Sequence, residues 1–438
     1  MCPDALPGSI PTERPLEHLV IVGNGMATQR LVEALVRQAA APRRITVIGE
    51  ERCPAYNRIL LSPWLAGDMS HDDLRLPEIA GRSGIALSTR LGERVTRIDR
   101  ARRRVVTERG EAIAYDRLVL ATGSRTALPP VPGITLAGVG GFRDLDDAEA
   151  LAEAAQRGGR ALVVGGGLLG LEAAEGLRQR GMQARVLQRS ERLMNRQLDA
   201  SAATLLRREL EGRGLEIATG VELAALEDDG HGHVAAARLA SGERLPADRV
   251  VIAAGITPNA ELGREAGLAC DRAIRVDAWL TTSDPAIHAL GECCQFGTRT
   301  FGLVEPIWQQ VEVLARHLAG EATAGFVDAP TATKLKVGGV SLYAFGPTEA
   351  APDHEALTYH DPQQGDYRRL LLRDGRLEGA VLYGDTAMGP WLFTQARAGT
   401  RLDAARQALA LGQADVEALL AEHETPLRDT DSPEKEAA

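Results

Sequence analysis

The sequence predicts an α/β protein: two parallel-sheet domains and a small α+β domain behind them. Three observations carry that expectation. An apolar run of strand length, His18 to Gly23, passes through a glycine turn into a helical stretch and then a second apolar run, Arg44 to Gly49. The same order of strand, glycine turn, helix and strand returns about 140 residues later, from Arg160 to Leu187. From Pro330 the texture changes to short strand-like runs broken by Gly and Pro. At 438 residues the chain also exceeds what a single core holds together.

Residues 1–17 show neither a basic n-region nor an apolar h-region, so they are read as a flexible N-terminus without a signal peptide. A helix is expected over Gln29 to Ala40, between the strand ending at Gly23 and the strand ending at Glu50. Short strands and turns then lead to Tyr115–Gly123, a strand closing on Ala121-Thr122-Gly123. In the second unit a helix to about Arg180 separates the strands Arg160–Gly165 and Ala184–Leu187, and Asp248–Gly255 matches Tyr115–Gly123. Further strands are expected at Lys334–Val340, Tyr367–Arg373 and Leu377–Tyr383, then helix from about Leu392 and a disordered polar stretch, Thr425–Ala438. The expected domains are 18–125 with 256–325, 126–255, and 330–405, followed by a helical or disordered tail, 406–438.

A hydrophobic content of 44% with 25% charged residues is that of an ordinary folded protein. The formal net charge of -10 argues against a nucleic-acid partner, because a phosphate backbone calls for a basic face. No window approaches the ~18 uninterrupted apolar residues that span a bilayer. The five cysteines, Cys2, Cys53, Cys270, Cys293 and Cys294, form no C-x-x-C pattern and suit a reducing cytoplasm. His231-Gly232-His233 reads as an exposed hairpin tip, and no metal site is expected.

The two glycine turns carry the chemistry. Gly23 permits a tight turn after the strand, and Gly25 lets backbone approach a pyrophosphate with no Cβ in the way. The helix opening near Met26 and Ala27 then offers free N–H groups and the positive end of its dipole. Glu50, at the end of the next strand, is placed to accept from ribose hydroxyls. The third small position of this fingerprint holds Thr28, so wider helix–strand packing is expected there. The second fingerprint, Gly165-x-Gly167-x-x-Gly170, is complete. Where an acid would select NADH the chain reads Gln188-Arg189-Ser190; Arg189 either meets a 2′-phosphate or is a solvated surface residue, and NADH and NADPH both stay open.

With these motifs the chain resembles the FAD-dependent pyridine nucleotide oxidoreductases. It is similar above all to the flavin-binding N-terminal part of the assimilatory NAD(P)H nitrite reductase large subunit and to stand-alone flavoprotein subunits of nitrate reductases. The likeness covers roughly Leu19 to Thr400 and rests on Val22–Met26, Pro54–Ser62, Ala121–Gly123, Gly165–Ala173, Ala289–Cys293, Gly302–Val304, Thr333–Val337 and Gly379–Asp385. It implies two Rossmann-like domains of the glutathione-reductase type, binding FAD and NAD(P)H. It also implies that Arg58 and Ser62 lie along the FAD, that Ala121-Thr122-Gly123 and Gly255 close over the dinucleotides, and that Gly291-Glu292 make a third FAD contact. Glu172 matches a glutamate that orients the nicotinamide. Pro306–Gln309 is expected near the flavin, with Trp308 either a stacking partner or a packed helix aromatic.

The layout suits hydride transfer to a flavin by positioning. No Cys-x₄-Cys pair is present to receive electrons, and Cys53 reads as a free thiol rather than a redox centre. The chain lacks the clustered cysteines of iron–sulfur and sirohaem regions, so electrons are expected to leave for a separate iron–sulfur or haem protein or a nitrate or nitrite reductase subunit. A homodimer is compatible with this reading. Alternatives are a rubredoxin- or ferredoxin-type reductase, a single-cysteine thiol or CoA-disulfide reductase, and a flavin-bound redox sensor. Arg100–Arg104 reads as a solvated turn or a basic docking patch.

Overall fold

The computed structural model describes residues 18–79, 84–337, 339–410 and 412–424. The flexible segment expected at 1–17 and the polar stretch 425–438 lie outside the described residues. The chain opens with β1 (His18–Val22), α1 (Met26–Arg37), β2 (Arg44–Ile48), α2 (Leu61–Ala66), β3 (Ala86–Arg90), β4 (Val95–Asp99), β5 (Arg104–Thr107), β6 (Ala112–Ala114), β7 (Arg117–Leu120) and β8 (Ser124–Thr126). Next come β9 (Val139–Gly140), α3 (Leu145–Arg157), β10 (Arg160–Val164), α4 (Leu168–Gln179), β11 (Gln183–Gln188), α5 (Ala200–Gly212), β12 (Glu216–Thr219), β13 (Leu223–Asp228), β14 (Val234–Leu239), β15 (Arg244–Pro246) and β16 (Arg249–Ile252). They are followed by β17 (Ile256–Pro258), α6 (Glu261–Glu265), β18 (Ile274–Val276), β19 (Ile287–Ala289), β20 (Cys294–Phe296), β21 (Arg299–Thr300) and α7 (Val304–Leu318). The last stretch holds β22 (Thr333–Val337), β23 (Val340–Phe345), β24 (Glu355–Asp361), β25 (Asp366–Arg373), β26 (Arg376–Tyr383), α8 (Gly389–Ala398) and α9 (Gln413–Glu424).

Two compact units result. The first comprises the residues through Ala127, Arg143–Ala148 and Gly255–Ala329; the second comprises Leu128–Phe142, Glu149–Ala254 and the chain from Pro330. The first is built on a parallel sheet in the order β19-β7-β1-β2-β3. Its inner strands read as unbroken apolar runs, Leu19–Val22 and Leu118–Leu120, because a parallel sheet is covered on both faces. Thr28, Leu31, Val32 and Leu35 of α1 recur at helical spacing and are buried. β1 lies between β2 and β7, so the chain leaves the sheet to one side and returns on the other, opening a crevice beyond Val22.

The second unit repeats the arrangement in the order β12-β11-β10-β16-β9, with β10 between β11 and β16. Val164 pairs with Leu187 just as Val22 pairs with Ile48. The C-terminal strands form an antiparallel sheet, β22-β23-β26-β25-β24, whose apolar face packs with α8 and α9 around Phe345, Leu370, Leu382 and Leu392. A buried acid ties this sheet to α5. Asp199 caps that helix by accepting from the Ala202 amide (3.3 Å), and also accepts from the Tyr367 hydroxyl (2.6 Å) and the Arg369 guanidinium (3.1 Å).

Several expectations are corrected. The first helix starts at Met26, directly behind the turn, and ends at Arg37 rather than Ala40; Gln38 is already extended. Arg143–Ala148 and Gly255 group with the first unit, although the expected boundaries put both in the second domain. The C-terminal sheet groups with the second unit and contains two strands, β23 and β24, that no sequence signal marked. Arg100 is half-buried: it pairs with Asp284 at 2.7 Å and donates to the Ala266 and Gly267 carbonyls, while Arg102, Arg103 and Arg104 are exposed as expected of a solvated turn.

Candidate dinucleotide sites

The two glycine turns match atom for atom. The Gly23 amide donates to the Ile48 carbonyl and the Gly165 amide to the Leu187 carbonyl, both at 2.8 Å. Both glycines have positive φ, +112° and +124°. A Cβ at Gly23 would stand 2.1 Å from the Ala121 carbonyl oxygen, and one at Gly165 would stand 2.4 Å from that of Ala253. Only glycine lets each turn close against the neighbouring strand. Gly25 and Gly167 are the N-caps of α1 and α4; neither helix start is capped by a side chain, and a Cβ on either would meet nothing within 4 Å. The first amides of both helices therefore face open space, where a diphosphate fits.

The third positions differ. A Cβ at Gly170 would lie 1.9 Å from the Gly165 carbonyl oxygen, so α4 packs tightly on its turn. In the first unit the Thr28 hydroxyl bridges the equivalent gap by donating to the Gly23 carbonyl at 2.8 Å. The threonine replaces a close contact with a hydrogen bond and is buried.

Around the first turn the chain gathers residues from distant segments. Ala121 donates to the Val22 carbonyl, and Thr122 exchanges hydrogen bonds with Asn259, its hydroxyl donating at 2.7 Å and its carbonyl accepting at 2.9 Å. Gly123, at φ +66°, accepts from the Asn259 amide. Gly291 comes within 3.8 Å of the Ala27 Cβ, measured from an added Cβ, and donates to Gln310 at 2.9 Å. Glu292 accepts from Ser124 (2.7 Å) and Arg143 (2.5 Å); Arg58 donates to the Arg143 carbonyl (3.1 Å) and pairs with Glu51, which accepts from Tyr56. Ser62 is buried in α2, and Glu50 is exposed at the end of β2, 3.8 Å from Arg94. Ser124, Arg143, Asn259 and Gln310 carried no sequence signal, because their partners lie well away along the chain; Glu51 carried none either, although its partners Tyr56 and Arg58 lie in the Pro54–Ser62 stretch. Asn24 Nδ2, Arg143 Nε and Gln310 Nε2 are buried without a partner. Such orphaned donors suit a polyanionic cofactor.

In the second unit the Gly166 amide donates to Gln188, and the register places Arg189 where the first unit has Glu50. Arg189 is exposed and makes no hydrogen bond or ion pair among the described residues. Glu172 is half-buried in α4. Trp308, read above as either a stacking partner or a packed helix aromatic, lies half-buried against the first unit's core with Arg30 of α1 over its ring at 4.8 Å. Burial, and then the Glu51 carboxylate, push the Cys53 thiol above its ordinary value, which disfavours a nucleophilic thiolate. Cys293 and Cys294 are buried and unbridged. His231 and His233 sit in the exposed turn between β13 and β14, and among the described residues no group of three His, Cys, Asp or Glu is placed to hold a metal ion.

Comparison with known proteins decides the family. Residues 17–314 match the model of the pyridine nucleotide-disulphide oxidoreductases. The chain belongs to that family. Residues 331–395 match the rubredoxin NAD+ reductase C-terminal domain. A nitrite reductase [NAD(P)H] of Bacillus subtilis (strain 168) is 38% identical over 86% of this chain and 47% of its own length. The assimilatory nitrate reductase electron transfer subunit of the same organism is 38% identical over 84% of this chain and 48% of its own. The chain thus spans about half the length of these curated relatives. Putidaredoxin reductase, solved in covalent complex with putidaredoxin, has a TM-score of 0.80 at 25% identity, covering 93% of this chain and 98% of that one. The protein is an oxidoreductase whose cofactors are FAD and NAD(P)H. The open helix starts described above fit both, and the orphaned donors of the first unit fit the FAD.

Proposed function

We propose that the chain takes electrons from NAD(P)H and passes them to a separate redox protein in nitrate or nitrite assimilation, within a reducing cytoplasm. The observation that carries this reading is the duplicated glycine turn: two helix starts, each at a switch point of its own sheet and each open to a diphosphate. Gly23, Gly25 and the amides of Met26 and Ala27 would hold the FAD diphosphate, with Glu50 on the ribose and Arg58, Ser62, Thr122 and Gly291-Glu292 lining the remainder. Gly165, Gly167 and Gly170 would hold the nicotinamide dinucleotide, and Glu172 would orient its carboxamide. Bound FAD supplies a two-electron acceptor that can release electrons singly. The Arg143–Glu292 pair holds the third contact segment in place, and the neutral Cys53 thiol takes no part. The similarity to the nitrite reductase and the nitrate reductase subunit supports the setting.

A second reading, an iron–sulfur acceptor of the rubredoxin or ferredoxin type, is favoured by the match of residues 331–395. Anaerobic mixing with NAD(P)H tests both. The purified protein should be yellow and should bleach, and re-oxidation rates with rubredoxin, ferredoxin and a nitrite reductase partner rank the acceptors. Cys53→Ser should keep turnover within about two-fold, since a half-buried thiol above its usual pKa contributes no thiolate. A colourless protein defeats the reading; loss of turnover in Cys53→Ser would replace it with thiol chemistry.

Arg189 is expected to favour NADPH. An arginine on a 2′-phosphate contributes about 1.5–3 kcal/mol. Arg189→Ala should therefore weaken NADPH binding by about ten-fold or more and leave NADH unchanged, as measured by fluorescence titration. Equal losses for both dinucleotides would assign Arg189 to the solvated surface.

A further inference from the structure

We propose that the first unit carries a second anion site, beneath β6 on one face of its parallel sheet, that takes a phosphoryl-type oxyanion. A cleft of about 340 Å³ is lined there by His18, Arg44, Thr46, Ser88, Arg90 and Glu111. The register places His18 beside Arg44 and Thr46 beside Ser88, on adjacent strands of a sheet whose faces are normally apolar. Polar side chains in that position break the pattern. Thr46 is buried, with its hydroxyl 2.9 Å from His18 Nε2 and 3.2 Å from the Ser88 hydroxyl. Arg90 is neutralised by Glu111 at 2.6 Å and Glu93 at 3.7 Å. Arg44 lines the cleft from its exposed edge and makes no hydrogen bond or ion pair among the described residues, so its guanidinium is open to a solvent-borne anion.

The duplicated second unit serves as an internal control. Asp116 accepts from the His18 amide at 2.9 Å, and Asp248 accepts from the Arg160 amide at 2.8 Å, which aligns the two sheets. In the second unit Arg160 pairs with Asp248 at 3.0 Å and Arg185 pairs with Glu216, so each charge is closed. Gln183 stands where the first unit has Arg44, and the Arg185–Glu216 pair stands where the first unit has Thr46 and Ser88. The first unit therefore replaces a closed ion pair with two hydroxyls and adds a free arginine. A guanidinium fork and two hydroxyls suit a tetrahedral oxyanion. Burial, and then the Arg44 charge, hold the His18 imidazole below its ordinary value against the opposing Asp116, and a bound anion would relieve that strain on the charged form. The site is separate from the glycine turn. His18 and Arg44 begin their strands while the turn follows their ends, about 13 Å away at 3.3 Å per residue.

Calorimetric titration of the FAD-loaded protein tests this, at fixed ionic strength and with the second turn filled by excess NADP+. The probes are inorganic phosphate and glycerol 3-phosphate. Saturable binding of either is expected, weakened about ten-fold by Arg44→Ala, less by Arg44→Lys, and accompanied by shifts of the His18 ring resonances. Tighter binding of phosphate identifies a free ion as the natural ligand; tighter binding of glycerol 3-phosphate identifies a phosphomonoester. Unsaturable heats with both probes, or an Arg44→Ala isotherm that overlays the parent, would overturn the site.

Discussion

Gly25→Ala should give a protein that folds normally and purifies without its yellow colour. The backbone at Gly25 is extended, with φ -94° and ψ -174°, a conformation any residue adopts, and the added methyl meets no protein atom within 4 Å. Alanine is a poorer N-cap than glycine, by about 1 kcal/mol, so the apo-protein should unfold only a few degrees below the parent. The methyl would instead occupy the space that FAD phosphates need above the first amides of α1. Losing one or two charge-assisted contacts of about 1.5–3 kcal/mol each weakens FAD binding by about 10- to 10⁴-fold. Gly167→Ala should do the same for NAD(P)H while the protein stays yellow. Gly23→Ala is the contrasting case. Its Cβ would strike the Ala121 carbonyl, so that variant should lose stability as well as flavin. Measured FAD content, flavin affinity and thermal unfolding separate these outcomes; a Gly25→Ala protein that binds FAD as tightly as the parent would remove the first turn from the site.

Asp199→Ala is expected to be the most destabilising single change in the second unit. The carboxylate is fully buried, caps α5, and accepts from Tyr367 and Arg369 of the C-terminal sheet. Removing it uncaps the helix and takes the buried acceptor from the Tyr367 hydroxyl and from Arg369, which keeps Glu349 at 3.9 Å. Breaking a buried pair from one side costs about 3–5 kcal/mol. Asp199→Asn keeps the cap and an acceptor for the Tyr367 hydroxyl, so it should lose less. Urea unfolding and proteolysis of the C-terminal sheet report both variants. A loss below about 1 kcal/mol for Asp199→Ala would show that the acid is no more than an ordinary cap.

The two dinucleotide units were legible because their signals are local. An apolar run, a glycine where φ turns positive and a helical period all fall within about 30 residues. The partners of those turns were not. Arg143 reaches Glu292 and Ser124, and Asn259 reaches Thr122, across more than a hundred residues in most of these contacts, and nothing near either residue in sequence marks it. Thr28 shows the same limit in a local motif. Its departure from a small residue reads as looser packing, while the fold supplies a carbonyl for its hydroxyl. Trp308 reads equally as a stacking or a packing aromatic, and only the course of α1 places Arg30 over its ring.

By itself the sequence determined that this protein has two parallel βαβ units with glycine turns and a C-terminal region of short strands, and it pointed to the family. These follow from backbone geometry and apolar periodicity, which neighbouring residues settle among themselves. The tertiary structure alone decided that Arg143–Ala148 returns to the first unit and that Asp199 fastens the C-terminal sheet to α5. It also decided that Arg44 has no counter-charge where the second unit closes its pairs. Each of these depends on which side chains, distant in sequence, the folded strands bring side by side, and that is set only when the sheets have formed.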